Sequence, residues 1–160
     1  MTARRYLLEK RPDRSVEFIG FPNQQLESEV RKHLESLSPF VPPWATSLTV
    51  RFDGQASVDF DAMICSQYPY RRLTLTIPSH FASRTVAEKR KILYHEITHP
   101  VLSPMAEYFR AILPRLIPEG VDSALFQVID EAWVEAVETV TQDLSEIFME
   151  ADTWRQKQKK

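Results

Sequence analysis

The residues best placed to do chemistry are His95-Glu96-Ile97-Thr98-His99. On a helix, residues four apart sit about 40° apart around the axis and roughly 6 Å apart along it. Both imidazoles therefore project from one face and can hold one small metal ion. Glu96 lies beside them, where a carboxylate can take a proton from water activated by such an ion. Two histidines do not complete a catalytic zinc site, which usually has three protein ligands and an open position. Cys65 is the only cysteine. A Cys-rich site and an intrachain disulfide are excluded, and the third ligand must be a histidine or a carboxylate.

The elements around the motif must position it. Thr85 followed by Glu88 is a capping-box signature, so a helix is expected over 85–99. Val86, Leu93 and Ile97 fall on the face opposite the histidines and would pack on a core. Pro100 is expected to weaken or end this helix. Ser103-Pro104 then opens a short helix carrying Met105, Tyr108, Phe109, Ile112 and Leu113. A loop spans 114–122. A long helix follows from Asp122 or Ser123, reaching about 150, with an apolar stripe of Phe126, Val137, Val140, Leu144, Ile147 and Phe148.

Upstream, 16–21 reads as a short strand. Asn23 caps a helix whose Leu26, Val30, Leu34 and Leu37 recur at helical spacing. His33 on that helix reads as a surface histidine. Leu48, Val50 and Phe52 alternate with polar residues. Asp53-Gly54-Gln55 reads as a hairpin turn into a returning strand over 56–64. Leu73, Leu75 and Ile77 make a third strand. The expectation is an α+β fold: a small, mostly antiparallel sheet, an N-terminal helix, the motif helix and a long C-terminal helix. The segments are a polar stretch over 1–15, one domain over 16–152 and a basic tail over 153–160.

No histidine follows at the spacing HExxHxxGxxH, because Leu102 and Met105 stand where Gly and His are needed. A carboxylate source exists in Ile129-Asp130-Glu131-Ala132-Trp133-Val134-Glu135. With HExxH upstream, this resembles the compact gluzincin metallopeptidases of the thermolysin-like class, whose Asn-Glu-Ala-x-x-Asp helix supplies the third ligand. Asp130 replaces the Asn and Glu135 the Asp. The resemblance implies zinc bound by His95, His99 and Glu131, with Glu135 supporting a histidine from behind. Glu135 or Glu138 are the alternative ligands on the same acidic helix.

The same resemblance implies peptide-bond hydrolysis with Glu96 as general base, on a peptide or protein lying against an edge strand. That edge is expected around Leu73 to Ile77. An oxyanion donor is needed as well. Tyr108 is the first candidate and counts with Glu96 as a catalytic residue; Tyr94, Tyr68, Tyr70 and His80 are the others. The alternative is a zinc-binding module without catalysis, regulatory or protein-binding.

Composition sets the outer bounds. With 43% hydrophobic and 26% charged residues, the chain can build a core. A net charge of -2 gives no case for nucleic-acid binding. No apolar run reaches the length of a membrane span, and Arg4 and Arg5 are not followed by a signal-like apolar stretch. A cytoplasmic protein is the expectation.

Overall fold

The computed structural model describes residues 14–56, 59–116 and 123–158. The 1–13 segment and residues 117–122 of the expected loop lie outside the described residues. Three helices pack with a four-stranded sheet. Strands β1 (Ser15–Ile19) and β2 (Ser47–Asp53) flank helix α1 (Gln24–Leu37). Asn23 caps α1 by accepting from the Leu26 N–H at 2.9 Å. Strands β3 (Met63–Gln67) and β4 (Arg72–Pro78) follow. Helices α2 (Val86–Leu116) and α3 (Ser123–Gln158) complete the chain. No helix among the described residues is long and apolar enough to cross a membrane.

The sheet order is β1-β2-β4-β3. It is mixed, not mostly antiparallel: β1, β2 and β4 run parallel, and only β3 is antiparallel, against β4. The reason is connectivity. Helix α1 carries the chain back across the sheet, and a crossover of that kind joins parallel strands. The turn after β2 does form, with the Ala56 N–H donating to the Asp53 carbonyl at 3.2 Å. It does not pair β2 with the next strand. The chain passes to the far edge instead, and the hairpin is β3–β4, closed by a 3-10 turn over Tyr68–Tyr70 and by Arg71 at φ 56.

Alternation explains how the sheet buries one face. Phe18, Val50, Leu75 and Ile64 are cross-strand partners in one row. Leu48, Val50, Leu73, Leu75 and Ile77 are almost wholly buried, against Leu26, Val30, Leu34 and Leu37 of α1 and Leu93, Tyr94 and Ile97 of α2. Each such side chain contributes roughly 1.5–3 kcal/mol. The opposite face carries Glu17, Thr49, Thr74 and Cys65 in register and is left to solvent at its edges.

The capping box at Thr85 and Glu88 forms as the sequence suggests. The Thr85 N–H donates to Glu88 Oε2 at 2.8 Å and the Glu88 N–H to Thr85 Oγ1 at 3.3 Å. Leu93 and Ile97 are fully buried, whereas Val86, at the exposed helix start, is 62% accessible. Pro100 does not end the helix. α2 continues through Pro100, Pro104 and Pro114, so the separate helix expected from Ser103 is its second half. Each proline forfeits one backbone bond. Packing against β3 and α3 holds the helix together across those losses, and Pro100 itself is buried.

Helix α3 also runs further than expected, through the residues read as a basic tail. Asp152 explains why. It is 3% exposed and takes Arg90 of α2 at 3.1 Å and Gln156 at 2.7 Å. Phe148 stacks on Phe40 with centroids 4.7 Å apart. The inward face is thus Thr141, Ser145, Phe148 and Asp152, with the half-exposed Glu138 on the cleft side, while Val140, Ile147 and Trp154 face outward, 42%, 56% and 64% exposed. Asp152→Ala leaves the Arg90 guanidinium without its buried partner. It is expected to cost about 2 kcal/mol in urea unfolding, given that Arg90 keeps some access to water.

Candidate metal centre

α2 and α3 meet where the HExxH face of α2 looks outward from the core. His95 and His99 lie one turn apart with their Nε2 atoms 3.1 Å from each other. Glu138 of α3 closes the group. Its Oε2 is 3.4 Å from His95 Nε2 and its Oε1 is 3.6 Å from His99 Nε2. Zinc–ligand bonds near 2.05 Å in a tetrahedron place neighbouring donor atoms about 3.3 Å apart. Each histidine has a Glu138 oxygen near that spacing, but not the same oxygen, so the carboxylate would have to turn to present one of them to a shared ion. Two imidazoles with a carboxylate form a donor set that zinc takes readily, and by donor chemistry the residues present fit the ion.

Glu96 also comes within 4.8 Å of both imidazoles and could be taken for the third donor. Its surroundings assign it elsewhere. Glu96 is 9% exposed, and its Oε2 accepts the backbone N–H of Ile64 at 2.8 Å. One oxygen is thereby tied to β3, and the carboxylate lies beside the histidines. Burial pushes the Glu96 carboxyl up to about 7, opposed by the Ile64 N–H and reinforced by the negative charge of Glu138. That is the metal-free carboxyl; a dication at the histidines would lower it again. Burial lowers the pKa of His99, opposed by Glu138 and aided by His95, which favours the neutral imidazole that a metal requires.

A ligating histidine needs its second ring nitrogen held. For His99 the partner is Thr141, whose Oγ1 is 3.4 Å from Nδ1 and which is fully buried. If the hydroxyl accepts from Nδ1–H, Nε2 is left free for the ion. Thr141→Val, which keeps shape and loses the hydroxyl, should weaken zinc binding about tenfold, and Thr141→Ser should restore it. Competition against a chromophoric chelator measures both.

The sequence-derived site residues divide clearly. His95, Glu96 and His99 stand together. Glu131 does not join them: it is exposed, and its Oε1 accepts from Gln127 at 2.7 Å. It shares the helix face of Glu138 but lies two turns away, about 10 Å along the axis. Glu135 is exposed, and its backbone carbonyl accepts from Thr139. Four residues after Glu138, where the gluzincin pattern has an acid, stands Gln142, which donates to Glu146 at 2.7 Å.

Tyr108 is 68% exposed and does not line the cleft. Tyr94 is buried in the core, Tyr68 and Tyr70 occupy the exposed β3–β4 turn, and His80 lies 3.4 Å from Asp61. Sequence reasoning missed Thr141 and the Ile64 N–H. A backbone donor leaves no mark on residue type, and a lone threonine on a helix is too common to signal a role.

The three donors open into a cleft of about 550 Å³. β3 forms one wall. The second half of α2 and the first half of α3 form the other, braced by Phe109 stacked on Trp133 at 4.1 Å. β3 is the edge of the sheet, and β4, where the edge was expected, is interior. No family model, curated protein or solved structure matches the chain.

Proposed function

We propose that the chain is a zinc-dependent peptidase of gluzincin type, hydrolysing peptide bonds of an extended peptide or unfolded protein segment. The observation that carries this is the Glu138 carboxylate reaching both His95 and His99, with Glu96 held next to them but tied to β3. His95, His99 and Glu138 would hold the ion. When bound, zinc supplies Lewis acidity toward a carbonyl and lowers the pKa of water.

The chain's own residues do the remainder. Ile64 fixes Glu96 through Oε2, so Oε1 is the atom that receives the proton of the attacking water and returns it to the leaving amine. β3 is an edge strand, beside which a peptide can add as a further strand, although the Ile64 N–H is already taken by Glu96. Phe60, Met63, Leu102 and Val137 give the cleft apolar surface for side chains.

One observation favours a second reading, a zinc-binding module without catalysis. Among the described residues that line the cleft there is no tyrosine, so the expected phenolic oxyanion donor is not in place. Arg110, Ser103, Ser66 and the Trp133 indole N–H are side-chain donors lining that cleft. Zinc-loaded protein incubated with a diverse peptide pool, read by mass spectrometry, separates the readings. A peptidase gives new termini that vanish with chelator and return with zinc; a binding module gives none.

A further inference from the structure

Past His95 and Glu96, toward the start of α2, lies a second cavity of about 330 Å³. It shares those two residues with the main cleft, so it adjoins the position where a scissile bond would lie. Its other walls are polar: Asp61, Arg84, Glu88, Lys91 and Gln142, with Ile92 as apolar surface.

Most of these groups are already engaged. Arg84 is ion-paired with Asp61, which His80 also approaches at 3.4 Å. The Glu88 carboxylate is occupied by the Thr85 N–H and hydroxyl, at 2.8 and 2.7 Å. Gln142 donates to Glu146. Lys91 is exposed, and no ion pair or hydrogen bond to its ammonium is formed among the described residues. It precedes His95 by four positions, so it shares the histidine face of α2 one turn away. Formal charges in the cavity, Glu96 included, sum to -1, but Asp61, Glu88 and Glu96 all have partners and this cation does not.

The direction of a bound peptide follows from β3. The charged cavity touches Asp61 and Ala62, just before the strand, whereas the apolar cleft extends along it to Ser66. A peptide pairing antiparallel to β3, the more stable arrangement, places its residues before the scissile bond in the apolar cleft. The residue after the bond then enters the charged cavity.

On the peptidase reading above, we propose that this cavity is a specificity subsite selecting an acidic side chain through Lys91. The substrate class is then peptides with an apolar residue before the cleaved bond and Asp or Glu after it. Ile92 lies against the side-chain methylenes, and the Lys91 ammonium meets the carboxylate.

The test uses the full zinc-loaded chain and three quenched fluorescent peptides that differ only after the bond: Glu, Gln or Lys. The Glu peptide should exceed the Lys peptide roughly tenfold in kcat/KM, attraction and repulsion together producing the ratio. Lys91→Met should bring them near parity and Lys91→Glu should reverse the order, with zinc content and Tm unchanged. Equal rates for the three peptides, or a Glu preference that survives Lys91→Glu, overturns the subsite. Binding of the same peptides to zinc-loaded Glu96→Gln, read by fluorescence anisotropy, separates the two levels of the claim. A Lys91-dependent Glu preference in binding without any cleavage by wild type sinks the peptidase reading and keeps the subsite. Absence of both sinks both.

Discussion

Glu138→Gln is expected to weaken zinc binding by more than about a hundredfold, while Glu131→Gln leaves it unchanged. Loss of a residue that merely supports a metal-bound histidine typically costs 10–100-fold, and loss of a ligand should exceed that. The contrast follows from placement. Glu138 has one oxygen toward each histidine, at 3.4 and 3.6 Å. Glu131 is exposed and engaged with Gln127. The amide of glutamine keeps the size and removes the charge that two neutral imidazoles need to bind a divalent cation tightly. Chelator competition on the two variants beside wild type reads the difference. Equal losses in both would place the ligand helix in another register.

Glu96→Gln is expected to lower turnover by about 10³ while zinc stays bound. The substitution is nearly isosteric, and the amide oxygen can still accept the Ile64 N–H, so β3 keeps its position. What is lost is the group that takes a proton. In the metal-free chain burial raises that carboxyl to about 7; a bound dication would pull it back down and keep it ionised, in the form that accepts a proton. Parallel measurement of zinc content and peptide cleavage decides the matter. Zinc retained with cleavage lost is the expected pair. Cleavage retained would show that Glu96 is not the base.

The parts of the fold that were legible in the sequence are those governed by short-range rules. The Thr85–Glu88 capping box, the Asn23 cap and the alternation of Leu73, Leu75 and Ile77 all depend on neighbours a few residues apart, and each takes its expected form. His95 and His99 share a helix face for the same reason. Sheet topology depends on which strands meet after long connections. The turn at Asp53 looked like a hairpin and formed as a turn, but the next strand found its partner in β4. Pro100 read as a helix stop because local propensity disfavours it there. Tertiary packing outweighed that local cost.

The third donor was obscured by the character of α3. A helix is normally read by turning its apolar stripe inward, yet here Val140, Ile147 and Trp154 face out and Thr141, Ser145 and Asp152 face in, with Glu138 on the cleft side. A helix that turns Glu138 to the histidines and buries Thr141, Ser145 and Asp152 spends much of its inner face on polar groups. Of the expected stripe, Val137, Leu144 and Phe148 are partly buried while Phe126, Val140 and Ile147 are exposed, so hydrophobic periodicity is only half a guide. The Asp130-Glu131-Ala132 pattern points to α3, the helix that brings Glu138 to the two histidines, but to a position two turns before it.

Zinc-edge anomalous diffraction from crystals of the zinc-loaded protein tests the metal centre most directly. One strong peak is expected at about 2.0–2.2 Å from His95 Nε2, His99 Nε2 and a Glu138 oxygen. A peak bound by Glu131, or no peak at the two histidines after zinc loading, would contradict it.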